Sequence, residues 1–488
     1  MIHFRYKGED ITMISNLIAR TEEIWRLGRC MEEKTAQFII LYGRRRVGKT
    51  FLINQFFDGR FDFKITGAYH EKKEVQLRYF AEELSSQTKK RVNPPGDWIS
   101  AFRMLRDYLA DLPRDEKRVV FFDELPWLDT PQSGFLPAFE HFWNDFGCSM
   151  NNLVFIVCGS ATSWMTKNIA KNKGGLFNRK TCSIYLQPFN LGETEEYLAA
   201  RGIEWSRYDI AECYMILGGI PYYLSLLEAQ KTLTENIDNL FFRKRAELWD
   251  EFDQLYRTLF SNSEQYIKIV EVLSRKREGL TRNEIIKETG IADNGALTEM
   301  LANLESSDFL RISGFFGKEK KTALYQLRDY YSQFFFRFLK DYHGRDEHYW
   351  SHTYGGTGKK TWTGLMFEQV CRDHILQIKK KIGISGVLSE ESVWHLKGND
   401  DFRGAQIDLI IDRNDHVIDL CEIKYSEKEF LIDKEYEENL RSKREVFREH
   451  TKTRKTIQFV MITSFGVKQN KYSGMISNQV VLDDLFSR

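Results

Sequence analysis

The sequence of 488 residues lacks the features that would tie it to a membrane or an oxidising compartment. Its seven cysteines are scattered without a C-x-x-C pair, which favours reduced, buried thiols over a structural zinc site. No apolar run approaches the length of about 20 residues that spans a bilayer, and residues 1–7 lack the apolar core of a signal peptide. We therefore expect a cytoplasmic protein with no membrane partner.

A strong charge of either sign is also missing. The formal net charge is +1, so the chain as a whole has no electrostatic bias toward nucleic acid. What the sequence does have is an apolar fraction of 42% with 36 phenylalanines, which is ample for a large buried core. Its length predicts two to four domains.

Residues from about 17 to 235 alternate strand-like and helix-like runs, which predicts a parallel sheet with helices on both faces. The candidate strands are 38–43, 61–66, 118–123, 153–158 and 182–187.

The segment 43–50 fits the pattern G-x-x-x-x-G-K-T, with an apolar run before it and a helix-like run after it. In this setting backbone N–H groups and a helix N-terminus face the phosphates of a nucleotide. Lys49 is expected to reach the β- and γ-phosphates, and Thr50 to help hold Mg²⁺. The predicted nucleotide contacts in this loop are Gly43, Arg44, Arg45, Arg46, Val47, Gly48, Lys49 and Thr50.

Two further strand ends complete this predicted site. The strand 118–123 ends in Asp123 and Glu124, which suit binding of the Mg²⁺ shell and orientation or deprotonation of the attacking water. The strand 153–158 is followed by Gly159 and Ser160, where a polar side chain can read the γ-phosphate. Alone, either segment could be a solvated strand end or an ordinary turn.

The remaining chain divides by pattern. Residues 262–328 read as three short helices and a hairpin, which is the order of a winged helix. Its third helix carries Glu299, Glu305 and Asp308 and no lysine or arginine, which favours a structural or regulatory role over DNA binding. The basic hairpin loop with Lys318, Lys320 and Lys321 leaves a phosphate contact open. The predicted domains are 1–190 (P-loop ATPase), 191–260 (helical lid), 261–346 (winged helix), 347–362 (linker) and 363–488 (nuclease-like).

Two other segments have a structural and a functional interpretation. The aromatic helix at 330–339 is interpreted as core, against base stacking. The charged stretch 434–455 is interpreted as a solvated helix, although its basic end could line a nucleic-acid groove.

A second constellation lies near the C-terminus. Asp408 begins one arm of a predicted hairpin, and Glu422 and Lys424 end the other arm, pointing to one face. Two carboxylates suit a divalent cation such as Mg²⁺, and the lysine can polarise a phosphate beside it. Glu368, on a helix upstream, could join them. A solvated strand face could produce the same letters, but the order E…D…E-x-K is that of PD-(D/E)xK nucleases.

These motifs together resemble a prokaryotic family of "archaeal-type", AAA-like P-loop ATPases related to the STAND and MNS groups. Members have a winged helix and often a C-terminal PD-(D/E)xK-like domain of unknown function. The resemblance spans nearly the whole chain, and its specific marks are the arginine run of the phosphate loop and Gly218-Gly219-Ile220-Pro221.

The resemblance implies further roles. Arg20 resembles a segment that borders the nucleotide base, Ser160 the γ-phosphate sensor, and Arg179 an arginine proposed to touch the γ-phosphate. The segment around Arg179 departs from the family pattern at Gly175 and Asn178, which weakens that transfer. The Gly218-Gly219 turn resembles the element that couples nucleotide state to the lid, although it could be a mere helix break.

The predicted fold class is therefore an α/β P-loop ATPase of the ASCE type with a parallel sheet, a helical lid, a winged-helix domain and a C-terminal α/β restriction-endonuclease-like domain. The predicted function is an ATP-hydrolysing switch that controls a divalent-metal-dependent nuclease-like domain, with ATP and Mg²⁺ as ligands. DNA or RNA is the expected substrate class, and a homo-oligomer is compatible with the sequence. The alternative is a signalling ATPase whose C-terminal domain only binds a protein or nucleic acid.

Overall fold

The computed structural model describes residues 3–6, 9–12, 17–171, 174–176, 178–276, 278–317, 323–353, 355–396 and 404–487. The chain divides into two compact units, residues 1–188 and 189–488. No described helix has the length and apolarity needed to cross a membrane.

The first unit is built on a five-stranded sheet in which every pair of neighbouring strands is parallel. A short hairpin, β1 (His3–Tyr6) and β2 (Glu9–Thr12), precedes it. The sheet strands are β3 (Gln37–Tyr42), β4 (Phe63–Thr66), β5 (Arg118–Asp123), β6 (Leu153–Gly159) and β7 (Cys182–Tyr185), in the order β4-β5-β6-β3-β7. All five predicted strands are confirmed within two residues. β3, β5 and β6 are buried over nearly their whole length, whereas β4 and β7 are partly exposed. The order places β6 between β3 and β5.

Helices flank this sheet and enclose a core rich in aromatic rings. Phe38, Phe122 and Phe155 of three strands pack with Phe139 and Trp143 of one helix, and all five are buried. The helices are α1 (Thr21–Glu32), α2 (Lys49–Phe56), α3 (Lys73–Thr88), α4 (Trp98–Ala110), α5 (Leu125–Leu128), α6 (Phe135–Asp145) and α7 (Thr162–Met165), with short irregular turns at Gly147–Ser149 and Thr166–Ala170.

The second unit opens with five helices. Gly218 and Gly219 follow the second of them, both with positive φ, and a Cβ on Gly219 would lie 2.1 Å from the Phe189 carbonyl oxygen. The turn therefore requires glycine. The helices are α8 (Leu191–Ala200), α9 (Arg207–Leu217), α10 (Pro221–Ser225), α11 (Leu233–Ile237) and α12 (Glu251–Leu259), and a π-helical turn covers Asp238–Phe242.

The next segment has the element order that the sequence predicted for 262–328. The Thr281 and Glu284 side chains form a capping box at the start of its second helix. The basic hairpin loop lies outside the described residues. The elements are α13 (Ser263–Ser274), α14 (Arg282–Thr289), α15 (Gly295–Ser306), β8 (Leu310–Ser313) and β9 (Leu324–Leu327), the last two paired antiparallel.

The aromatic helix follows as α16 (Tyr330–Phe334) and a π-helical turn, Phe335–Leu339. Tyr330, Tyr331 and Phe334 are buried and pack against other rings of the unit. The core interpretation is therefore confirmed for these three rings, whereas Phe336 is half-buried.

The predicted linker at 347–362 is mainly helical. It contains α17 (Tyr349–His352), and α18 (Thr357–Asp373) begins inside it. Trp350, Lys359 and Trp362 are buried. The Gly-rich letters thus mark the start of a long helix rather than an extended connection.

The C-terminal part is a mixed five-stranded sheet flanked by α18, α19 (Ile375–Lys381) and α20 (Lys434–Thr451). Its strands are β10 (Ser389–Leu396), β11 (Ala405–Arg413), β12 (Val417–Lys424), β13 (Thr456–Thr463) and β14 (Ile476–Val481), in sequence order across the sheet, and a final turn covers Leu482–Phe486. The first two pairings are antiparallel and the last two are parallel.

Candidate nucleotide site and candidate nuclease-like site

The phosphate loop joins β3 to α2, and two glycines set its path. Gly43 has φ 155°, and a Cβ there would lie 2.3 Å from the Leu186 carbonyl oxygen. Gly48, with φ 89°, is the N-cap of α2, and a Cβ there would meet no atom within 4 Å. Open space and a left-handed N-cap at the start of a helix leave room for an anion at the N–H groups.

Lys49 is buried and curls back over this loop. Its Nζ donates to the carbonyl oxygens of Gly43 at 2.9 Å and Arg44 at 2.8 Å. Carbonyl oxygens solvate an ammonium group less well than a phosphate does, so the side chain is held near the loop and can transfer a hydrogen bond to an anion placed there.

Thr50 and Asp123 come together as the sequence predicted. The Thr50 hydroxyl, in the first turn of α2, donates to Asp123 Oδ2 at 2.8 Å. Asp123 is the last residue of β5 and is buried. A hydroxyl and a carboxylate at this separation form an oxygen donor set that fits Mg²⁺, which would polarise the nucleotide phosphates when bound.

Glu124 and Ser160 also meet. Ser160 donates to Glu124 Oε2 from its backbone N–H at 3.0 Å and from its hydroxyl at 2.8 Å. Glu124 has φ 46°, a left-handed conformation that turns the chain sharply after Asp123. Because β6 is the neighbour of β5 in the sheet, Ser160 falls beside Glu124.

The predicted arginine contacts differ in their placement. Arg20 Nη2 donates to the Val47 carbonyl at 3.1 Å, and Arg20 pairs with Glu23 at 3.5 Å. Arg20 therefore contacts the backbone of the phosphate loop and stabilises it, which the sequence did not indicate. Arg44 is buried, whereas Arg45 and Arg46 are half-exposed. Arg179 is exposed, and in the described part of the chain its side chain has no hydrogen-bond or ion-pair partner.

In the second unit, the predicted hairpin face is present. Leu409 pairs with Cys421 across β11 and β12, so the register sets Asp408 opposite Glu422. Both side chains are buried. Burial raises the pKa of Glu422, Asp408 raises it further, and the cation of Lys443 opposes them. Lys424 Nζ lies 4.0 Å from Glu422 Oε2.

Two residues of α20 complete this cluster and were missed by sequence reasoning. Lys443 Nζ donates to Glu422 Oε1 at 2.6 Å, and the Tyr436 hydroxyl donates to Glu422 Oε2 at 3.3 Å. The signal was available in the helical spacing. Tyr436 and Lys443 lie on the same stripe as the buried Leu440 and Phe447.

Glu368 is buried on α18. Burial is the main cause that raises the pKa of the nearby Cys371 thiol, and the charge of Glu368 raises it further. The structure does not group Glu368 with the other two carboxylates as a metal ligand. Within the described ranges, no three His, Cys, Asp or Glu side chains are placed to hold an ion together. Asp408 and Glu422 still fit a divalent cation by donor chemistry, with Lys443 occupying one Glu422 oxygen.

The first site, with its sheet, defines a P-loop ATPase fold. Residues 17–227 match the family model described as an ATPase domain predominantly from Archaea, so this part of the chain is an ATPase domain of archaeal type. ATP binding follows from that assignment.

Two proteins of one archaeon are similar to this chain, one over most of its length and one over a short segment. An uncharacterized protein of Methanocaldococcus jannaschii is 24% identical over 415 residues, which are 84% of this chain and 88% of that protein. An uncharacterized ATP-binding protein of the same organism is 51% identical over 43 residues, 9% of this chain and 73% of that protein.

Among solved structures, the Walker-type ATPase PABY2304 of Pyrococcus abyssi has a TM-score of 0.47 and 20% identity, over 66% of this chain and 96% of that one. The ORC2 protein of Aeropyrum pernix has a TM-score of 0.40 and 13% identity, over 67% and 94%.

Proposed function

We propose that this protein is an ATP-binding and ATP-hydrolysing switch that controls a C-terminal, divalent-metal-dependent nuclease-like domain acting on nucleic acid. The observation that supports the nuclease-like part best is the register that sets Asp408 opposite Glu422, with Lys424 two residues further on the same strand face. In this proposal residues 191–260 form the lid, 261–346 a winged helix and 363–488 the nuclease-like domain.

In the ATPase domain, Lys49 holds the phosphates, and Thr50 and Asp123 hold Mg²⁺. Glu124 orients the attacking water. Ser160 donates both of its hydrogen bonds to Glu124 Oε2, which orients the carboxylate so that its other oxygen, Oε1, can accept a water proton.

In the nuclease-like domain, Asp408 and Glu422 hold the cation, which when bound polarises a phosphodiester and acidifies water. Lys424 stands on the same face, where its ammonium group can stabilise charge on the scissile phosphate. Lys443 neutralises Glu422 when no cation does so, which keeps two buried carboxylates compatible.

Coupling is supported by buried contacts within the second unit. Lys359 of α18 pairs with Glu212 of the proposed lid at 2.5 Å, and both side chains are buried. The Leu191 N–H, at the start of α8, donates to His374 Nε2 at 2.9 Å. A movement of the proposed lid would therefore act directly on the helix that carries Glu368.

The test is a cleavage assay with plasmid, linear DNA and RNA in Mg²⁺ or Mn²⁺. Asp408→Ala, Glu422→Ala and Lys424→Ala should each abolish cleavage and leave ATP hydrolysis unchanged, because the two sites lie in different units. Asp415→Ala, an exposed turn residue beside the same strands, is the matched control and should cut like wild type. Failure to cut any substrate under every metal and nucleotide condition would contradict the proposal.

The second candidate, a C-terminal module that only binds a partner, is favoured by one observation. Lys443 is bonded to Glu422 at the position where a cation would be shared. Calorimetric titration with Mn²⁺ separates the two candidates. Mn²⁺ binding that is present in wild type and lost in Asp408→Ala supports the nuclease-like site. If neither wild type nor Lys443→Ala shows any Mn²⁺ binding that depends on Asp408, the binding module is supported.

A further inference from the structure

A cavity of about 380 Å³ lies within the second unit, where the end of α13, the strands β8 and β9, the aromatic helix and α18 meet. Most of the charged side chains that line it are cationic. One carboxylate, Glu368, faces six cationic side chains: Arg275, Lys276, Arg311, Arg328, Arg337 and Arg372.

Carboxylates outside the lining balance only part of this charge. Asp373 pairs with Arg311 and Arg328, Asp308 pairs with Arg328, and Glu271 pairs with Arg275. Counting these three with Glu368, and adding Lys340 because it shares Glu271, gives four negative charges against seven positive ones, a net of +3. The cavity therefore favours an anion.

Lys276 and Arg337 are the cations best placed to receive that anion. Both are exposed, and neither forms an ion pair with any residue that the structure describes. Arg337 lies 5.8 Å from the Phe338 ring centre, a contact that leaves its N–H groups able to bind oxygen.

The cavity also has an apolar, aromatic wall. Trp362 and Phe336 line it. Trp362 is 4% exposed, and its indole N–H has no acceptor in the described part of the chain. Aromatic and aliphatic surface beside cations suits a nucleoside better than a bare phosphate ion.

The cavity adjoins the candidate nuclease-like site through Arg372. Its Nη2 donates to the Asp408 carbonyl at 2.8 Å and its Nη1 to Gln326 Oε1 at 3.0 Å. A ligand in the cavity would thus contact the same side chain that fixes the strand carrying Asp408.

We propose that this cavity binds a phosphorylated nucleoside, either free or as one unit of a single strand. Lys276 and Arg337 hold the phosphate, and the wall of Phe336 and Trp362 receives the base or sugar. This binding requires neither a metal nor cleavage, so it can hold when the nuclease proposal fails.

The test uses the full chain in EDTA, which separates binding from any metal-dependent reaction. Anisotropy of a fluorescein-labelled oligothymidylate reports strand binding, and calorimetry with thymidine monophosphate reports the free nucleotide. The variant is Lys276→Gln/Arg337→Gln. The charge-matched control is Arg78→Gln/Arg91→Gln, two exposed residues of the first unit.

For the strand, the cavity variant should bind about tenfold or more weakly, since each charged hydrogen bond contributes roughly a factor of ten. Its slope of log affinity against log salt should be smaller by about 1.4, because two phosphate contacts on a single strand are lost. If the cavity variant loses binding of the monophosphate but still binds the strand like wild type, the cavity is assigned to a free nucleotide, which also supports the proposal. If wild type binds neither probe, or if the cavity variant binds both like the control, the proposal is overturned.

Discussion

At the residue scale, the hydrogen bonds of Lys49 in the phosphate loop can be exchanged for hydrogen bonds to a ligand. Lys49 satisfies its ammonium group on two loop carbonyls, and these are replaceable by phosphate oxygens. Lys49→Ala should weaken ATP binding by at least about tenfold, given that hydrogen bonds to charged groups contribute about 1.5–3 kcal/mol, and should abolish turnover. Calorimetric titration measures the affinity, with the exposed Lys34→Ala as control. Equal affinity in Lys49→Ala and wild type would refute the assigned role.

Glu124 tests the hydrolytic step separately from binding. Glu124→Gln keeps an oxygen that can accept from Ser160 but cannot take a proton from water. The rate of ATP hydrolysis should fall by about 100-fold or more while ATP stays bound, since general-base catalysis contributes roughly 10²–10⁴-fold. Phosphate release and nucleotide binding are measured on the same preparation. A variant that hydrolyses ATP at the wild-type rate would exclude Glu124 as the base.

His374 gives a pH dependence with a definite sign. Its ring accepts from Leu191 N–H and bonds the Val370 carbonyl, and burial lowers its pKa below 6.5. In the unfolded chain the ring takes a proton near pH 6.5, whereas the folded ring stays neutral to lower pH. Stability from His374 is therefore present above about pH 6.5 and is lost as the pH falls below it.

Denaturant unfolding at several pH values should show this loss in wild type and a smaller one in His374→Gln. The exposed His343→Gln serves as control and should follow wild type. An equal pH slope in wild type and His374→Gln would mean that the ring titrates alike in both states.

At the scale of elements, the buried pair of Lys359 and Glu212 joins α18 to α9. Removing one partner leaves an uncompensated buried charge, so Lys359→Met should lower the free energy of unfolding by about 3–5 kcal/mol. The double variant Glu212→Leu/Lys359→Met should recover most of that loss. Lys360→Met is the control, because Lys360 pairs with Glu427 on the surface and should change stability by less than about 1 kcal/mol. Equal stability of the single and double variants would contradict a coupled pair.

The elements also show what the sequence could predict. Buried runs such as Val119 to Phe122 are unmistakable strands, and their ends carry Asp123 and Ser160 to one edge of a parallel sheet. The helical spacing could place Lys443 on the buried stripe of α20, but it could not name Glu422 as the partner, because only tertiary packing brings the two together. The start of α18 near Gly356 was not predicted, because the glycines around it are typical of a linker. In the structure Lys359 and Trp362 of this helix are buried.

At the scale of the whole molecule, the two candidate sites lie in different compact units. The phosphate loop, Asp123, Glu124 and Ser160 lie in the first unit, and Asp408, Glu422 and Lys424 lie in the second. The predicted lid belongs to the second unit, together with the C-terminal sheet. Any nucleotide-driven change in the proposed lid would consequently be felt by the elements packed on it, including α18.

The most direct test of this account measures nucleic-acid cleavage with and without ATP in wild type, Lys49→Ala and Asp408→Ala. The account predicts that ATP changes the wild-type cleavage rate and that Lys49→Ala loses this dependence. It also predicts that Asp408→Ala cuts nothing while hydrolysing ATP at the wild-type rate. Cleavage that is identical with and without ATP in wild type, or that persists in Asp408→Ala, would contradict it.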